Sequence, residues 1–104
     1  MNNIDFIRSA LPETEVLAQL AEECGELVQA ALKLRRAMKP DGSPTPCNVS
    51  EALRRFYEET ADVLVCLKVT NTLWESTSVP TVEIIMREKI ARWAYRLGQR
   101  RSDK

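Results

Sequence analysis

The sequence predicts an all-α protein: a helical bundle of three main helices plus a short N-terminal helix, completed by oligomerisation. Three long stretches repeat apolar residues at steps of three and four, which is the spacing of one helix face. The prolines lie at the starts of these stretches or between them, where they mark helix boundaries. No stretch alternates apolar and polar residues in the way that a half-buried strand does.

The length of 104 residues is that of one domain, so we predict a single domain over 1–104. A domain of this size has a limited core, and association with further copies is a natural supplement. The 15 basic and 15 acidic residues cancel, so charge favours neither nucleic acid nor a membrane surface as a partner. No apolar run is long enough to span a bilayer and no signal peptide is present, which favours a cytoplasmic location.

The first two helices are predicted from the N-terminal third of the chain. Asn2 to Leu11 favours a short helix, and a long helix follows from Pro12 to about Met38, with Pro12 suited to its first turn. Its predicted apolar seam consists of Leu17, Leu20, Cys24, Leu27, Ala31 and Leu34. The stretch from Pro40 to Pro46, with its three prolines and an Asp-Gly pair, predicts a loop.

The remaining helices follow that loop. Asn48 is predicted to cap a long helix that runs from about Ser50 to Trp74, with Ser50 as an alternative cap. Beyond Asp62 this helix is apolar nearly all round, which predicts burial on most sides. A break is expected over 75–81, and the last helix then extends to about Arg100. Its apolar seam comprises Val82, Met86, Ile90, Trp93 and Leu97.

Cysteine and histidine usage limits the possible chemistry. Cys24, Cys47 and Cys66 cannot all pair internally and are interpreted as free buried thiols of a reducing compartment. The absence of histidine excludes a Ser-His-Asp triad, an imidazole zinc site and a Glu-x-x-His di-iron bundle. Metal chemistry based on carboxylates alone remains.

Two acidic clusters carry such carboxylates. Glu23 and Glu26 are three residues apart on the first long helix, and Glu59 and Asp62 are three apart on the second. If the two helices are neighbours, four carboxylates face one small volume, where like charges repel. Mg²⁺ prefers such hard oxygen ligands, and Mn²⁺ is an alternative. Ordinary solvated helix faces are the competing interpretation of each cluster taken alone.

These clusters resemble the signature of the MazG-like nucleoside triphosphate pyrophosphohydrolases, E-E-x-x-E followed by E-x-x-D. The chain has EECGE at 22–26 and ETAD at 59–62, within the phrases LAEECGELVQA and EETADVLV. The similarity extends from about Val16 to Leu97, and the gap between the two motifs is longer than is usual in the family.

The resemblance implies an all-α dimer or tetramer that uses Mg²⁺ to hydrolyse a nucleoside triphosphate to its monophosphate and pyrophosphate. It implies Glu23, Glu26, Glu59 and Asp62 as metal ligands and Glu22 as an auxiliary carboxylate. Without histidine, either Glu22 or Glu26 is a candidate general base. Lys89, Arg92 and Arg96 resemble the family's basic residues that contact phosphate. The nucleotide is expected to be a deoxy or non-standard one.

Two alternatives remain open at this stage. A phosphoribosyl-ATP pyrophosphohydrolase would share the metal site and differ in the pocket for base and ribose. A helical interaction module without activity would use the basic last helix as a binding surface and would bind no metal.

Overall fold

A computed structural model describes residues 2–39, 48–71 and 81–102, with the side chains of all of these except 71, 101 and 102. The described residues form four helices and no strand: α1 (Asn3–Ala10), α2 (Glu13–Met38), α3 (Val49–Asn71) and α4 (Val82–Ser102). The prediction of an all-α chain with one short and three long helices is confirmed. The predicted loop at 40–46, the last predicted turn of the second long helix and most of the predicted break lie outside the described residues.

Two of the long helices are capped at their N-termini by a side chain. The Asn48 side-chain oxygen accepts hydrogen bonds from the backbone N–H of Ser50 (2.8 Å) and of Glu51 (3.4 Å), as the sequence predicted. The Thr81 hydroxyl accepts from the N–H of Ile84 at 3.4 Å. These bonds satisfy N–H groups that have no partner within the helix, so the starts of α3 and α4 are specified locally.

The chain divides into two compact units, Met1–Leu73 with α1, α2 and α3, and Trp74–Lys104 with α4. In the first unit, α2 and α3 form the most extensive helix pair, and α1 packs on α3. The single domain over 1–104 stays a prediction. None of the described helices is both long enough and apolar enough to cross a bilayer.

The face that α2 turns to its neighbour differs from the predicted seam. Val16 and Ala30 are the buried positions of α2, each 3% exposed, and Glu23 between them is half-buried. These three residues are seven apart and form one line along the helix, which we call the α2 contact line. Three residues of the predicted seam are instead exposed: Leu17, Cys24 and Ala31.

The reason for this error is rotational. The contact line and the exposed line are one residue out of step, which is a rotation of about 100°. Both lines are rich in small or apolar residues, so periodicity identifies a helix without choosing between them. Glu23 therefore lies on the same line as the two buried residues of α2, between them.

Helix α3 is also more one-sided than predicted. Its buried side chains include Ala52, Glu59, Val63 and Val69. Leu64 and Val65 are 58% and 50% exposed, so burial on most sides beyond Asp62 is wrong for the single chain. On α4, each of the five predicted seam residues is at least 46% exposed. Oligomerisation, which would cover such residues, stays a prediction.

Candidate metal centre

Three carboxylates meet between α2 and α3. One oxygen each of Glu23 and Glu26, from α2, and of Glu59, from α3, lie within 4.8 Å of one another. Glu59 is buried at 7% exposed, and the other two are half-buried. We call these residues the three-carboxylate group. It joins the two acidic motifs, as the sequence predicted for these three residues.

Two oxygens of the group have no hydrogen-bond partner among the described residues: Glu23 Oε2 and Glu59 Oε2, both buried. Thr70, the other buried polar side chain in the described part of the chain, donates its hydroxyl hydrogen to the carbonyl of Cys66 at 2.7 Å. Buried polar atoms in folded proteins are nearly always paired. Two unpaired carboxylate oxygens in one cluster therefore point to a ligand that carries positive charge.

The charges around Glu59 act in opposite directions. Burial raises the pKa of the Glu59 carboxyl above its ordinary value of 4.5, and Glu26 raises it further, both as a hydrogen-bonding neighbour and through its negative charge. Asp62 adds to this rise, whereas the guanidinium of Arg55 opposes it. Without a metal, these effects together make the ionised form of Glu59 less favourable in the folded chain than in the unfolded chain.

This preference predicts how the stability of the metal-free chain depends on pH. Between pH 4.5 and the raised pKa of Glu59, the folded chain holds a proton that the unfolded chain has released. The contribution of Glu59 to folding is therefore complete below pH 4.5 and is lost as pH rises through the raised pKa. Melting curves are measured in EDTA at several pH values. We expect the stability of the Glu59→Gln variant to increase relative to that of the wild type as pH rises. A difference that stays constant over this range would contradict the assignment.

The two remaining acidic residues of the predicted site lie outside this group. Asp62 is exposed, but its charge reaches the group, since it adds to the burial that raises the pKa of Glu59. Glu22 is exposed and directly precedes Glu23 in α2. Their predicted roles, as a metal ligand for Asp62 and as a base for Glu22, stay predictions.

The three predicted phosphate ligands Lys89, Arg92 and Arg96 are exposed on α4, in the second unit. Their contact with phosphate also stays a prediction.

Two further side chains hold the group in place, and the sequence interpretation missed both. Gln19 donates from Nε2 to Glu23 Oε1 at 2.7 Å, and Arg55 Nε lies 3.5 Å from Glu59 Oε1. Each precedes its carboxylate by four residues on the same helix, which places the two side chains on one face. That spacing was the available signal.

The cysteines near the site are free thiols. Cys24 is exposed and Cys66 is half-buried. Burial raises the pKa of the Cys66 thiol, and the charges of Glu23, Asp62 and Cys24 raise it further. A thiol with a raised pKa is a poor nucleophile and a poor metal ligand at neutral pH. This agrees with a packing role for Cys66, whereas the predicted burial of Cys24 is wrong; Cys47 lies outside the described residues.

The donor set suits a hard divalent cation. Carboxylate oxygens are the ligands that Mg²⁺ and Mn²⁺ prefer, and no histidine or thiolate ligand competes in the group. Oxygens bound to one octahedral Mg²⁺ are about 3.0 Å apart at adjacent positions and about 4.2 Å apart at opposite ones. The three carboxylate oxygens lie within 4.8 Å of one another, which is the same range of size as such a site.

Comparisons of the chain with protein-family models, with curated proteins and with solved structures found no match. The fold is that of an all-α protein with four helices, and its function has to be inferred from the site itself.

Proposed function

We propose that the chain is a Mg²⁺-dependent nucleoside triphosphate pyrophosphohydrolase of the MazG-like class. The observation that carries the proposal is the three-carboxylate group, which takes two members from the first acidic motif and one from the second. Its most buried member, Glu59, has an oxygen without a partner among the described residues, as expected of a metal ligand. The resemblance of the two motifs to the family signature supplies the reaction class.

The metal would be held by Glu23, Glu26 and Glu59. A bound Mg²⁺ would neutralise charge on the triphosphate and favour ionisation of a nearby water. Gln19 orients Glu23 by hydrogen bonding one of its oxygens, which leaves the other for the ion. Asp62, whose charge acts on Glu59, would add negative charge that attracts the cation.

The proton of the attacking water needs a base, and Glu22 and Glu26 are the candidates. One of their carboxylate oxygens would take the proton while the water oxygen bonds to the α-phosphorus. The bond from that phosphorus to the oxygen shared with the β-phosphorus breaks, and pyrophosphate leaves with the electron pair. The proton then passes from the carboxyl group to solvent. The products are the nucleoside monophosphate and pyrophosphate.

The substrate part of the proposal rests on the resemblance. We propose a deoxy or non-standard nucleoside triphosphate as the substrate and a homodimer or homotetramer as the active form. Lys89, Arg92 and Arg96 would contribute positive charge that attracts phosphate.

The test is product analysis with the purified chain on a panel of NTPs, dNTPs and phosphoribosyl-ATP, with Mg²⁺ or with EDTA. The expected result is release of monophosphate and pyrophosphate from one class of triphosphate with Mg²⁺ and none with EDTA. In water enriched in ¹⁸O, the label should enter the monophosphate, because water attacks the α-phosphorus. A preference for phosphoribosyl-ATP would instead support the second enzyme class.

The Asp62→Asn variant tests whether the second motif takes part. Asp62 is exposed, so the variant should fold normally while its turnover falls by about 10-fold or more, as for outer residues of metal sites. Release of nucleoside diphosphate and orthophosphate would contradict the proposed bond cleavage. No turnover of any triphosphate, with no rise in melting temperature on adding Mg²⁺, would overturn the proposal in favour of an interaction module.

A further inference from the structure

We propose that Arg55 binds a phosphate oxygen of the substrate. The inference rests on the proposed function and extends it to a residue outside both acidic motifs.

The position of Arg55 is the first observation. Its Nε lies 3.5 Å from Oε1 of Glu59, whose side chain is only 9% exposed, whereas the side chain of Arg55 is 60% exposed. The guanidinium therefore lies at the boundary between the three-carboxylate group and solvent. Among the ion pairs of the described residues, this one alone involves a member of that group.

The pair with Glu59 leaves much of the bonding capacity of Arg55 unused. A separation of 3.5 Å is longer than the 2.7–3.2 Å of an N–H···O hydrogen bond, so the contact is an ion pair without a strong hydrogen bond. A guanidinium has five N–H donors in a planar fork that matches phosphate oxygens. A cation bound by Glu59 would weaken the attraction of this carboxylate for Arg55 and free the guanidinium for a phosphate.

The charge balance at the site favours a further cation besides the metal. Three ionised carboxylates together with a triphosphate carry more negative charge than one divalent cation neutralises. Clustered phosphates in other phosphoryl-transfer sites are held by metal ions together with Arg or Lys. Arg55 lies beside the carboxylates, so it would meet a triphosphate whose metal these carboxylates hold.

Its neighbour Arg54 provides a matched control. Arg54 Nε lies 3.1 Å from Glu58 Oε1, and the two side chains are 83% and 59% exposed. This pair has the same i, i+4 spacing on the same helix, but it involves no member of the three-carboxylate group. The Arg54–Glu58 pair is of the exposed kind that contributes little to stability, so loss of Arg54 should leave the fold intact.

The experiment measures binding of Mg²⁺ alone, and of inorganic tripolyphosphate in the presence of Mg²⁺, by titration calorimetry. The proteins are the wild type, Arg55→Ala, Arg55→Lys and Arg54→Ala. We expect Arg55→Ala to weaken tripolyphosphate binding by about 10-fold or more, as for loss of a charge-assisted hydrogen bond. Arg55→Lys should recover part of the loss, and Arg54→Ala should bind within about twofold of the wild type. Binding of Mg²⁺ alone should not weaken in Arg55→Ala, because a competing cation has been removed.

The outcomes separate this inference from the proposed function. If the wild type binds Mg²⁺ and tripolyphosphate, and Arg55→Ala binds each of them as tightly as the wild type does, the role of Arg55 is overturned and the hydrolase proposal stands. An equal loss of tripolyphosphate affinity in Arg54→Ala would also overturn it, because any positive charge near this part of α3 would then account for the binding. If the wild type binds neither Mg²⁺ nor tripolyphosphate, the proposed function and this inference both fail.

Discussion

The Glu59→Gln variant is expected to lose both Mg²⁺-dependent stabilisation and triphosphate hydrolysis, and to be more stable than the wild type when metal is absent. The substitution preserves the shape of the side chain and removes its charge. A neutral amide is a poor ligand for Mg²⁺, which selects anionic oxygen. Turnover should fall by at least about 100-fold. Even mutation of residues that only hydrogen-bond to metal ligands lowers activity or metal affinity by about 10- to 100-fold.

The gain in metal-free stability follows from the electrostatics of the three-carboxylate group. Burial, together with the neighbouring Glu26, already raises the pKa of Glu59, so the ionised form is disfavoured in the folded chain. Glutamine removes that cost permanently. A variant that is more stable and yet inactive is typical of a residue kept for function at the expense of stability.

Thermal unfolding with Mg²⁺ and with EDTA measures both effects. At a Mg²⁺ concentration 100 times the dissociation constant, the wild type should gain about 2.7 kcal/mol, a rise in melting temperature on the order of 10 °C. Glu59→Gln should show almost no rise.

The control variant is Glu58→Gln, which alters the preceding carboxylate, 59% exposed and paired with Arg54. It should respond to Mg²⁺ as the wild type does. An unchanged Mg²⁺ response in Glu59→Gln would remove Glu59 from the metal site.

The second large effect is expected at Val69, where Val69→Asp should unfold the chain or leave it only partly folded. Val69 is 3% exposed on α3, so an aspartate there would take a carboxylate out of water, which costs free energy. Substitutions that bury an unpaired charge belong to the small class that costs more than about 4 kcal/mol. The whole stability of a small domain is about 5–15 kcal/mol.

Urea denaturation followed by circular dichroism measures this loss, and Val65→Asp is its control. Val65 is the same residue type one turn earlier in α3 and is 50% exposed. Val65→Asp should remain helical, with a loss of less than about 1 kcal/mol for the single chain. Light scattering on the same samples tests the predicted oligomer, because a charge at Val65 would disturb an interface that covers this residue. Equal stability of the two variants would contradict the observed burial of Val69.

The helices and their starts were predictable from local sequence. The apolar steps of three and four located α2, α3 and α4, and Asn48 was recognised as the cap of α3. These features depend on residues within a few positions of one another. They would be present in almost any packing of the same helices, so no knowledge of the tertiary structure was needed.

The pairing of the two acidic motifs was predictable in part. Helix spacing placed Glu23 beside Glu26, and the assumption that α2 and α3 are neighbours added Glu59. The same reasoning gave Asp62 equal standing, yet Asp62 is exposed and lies outside the three-carboxylate group. Residues three apart on a helix differ by about 60° in direction, and this difference separates a buried carboxylate from an exposed one.

The sequence alone thus determined the secondary structure, the two carboxylate clusters and the absence of any imidazole ligand. The tertiary structure decided the rotation of each helix about its own axis. That rotation buries Val16 and Ala30, partly buries Glu23 between them, and exposes the neighbouring apolar line. Hydrophobic periodicity reports that a helix has an apolar face, but two adjacent lines can meet that description equally well. Packing against α3 selects one of them, and the selected line carries Glu23, which meets Glu59 of the second acidic motif.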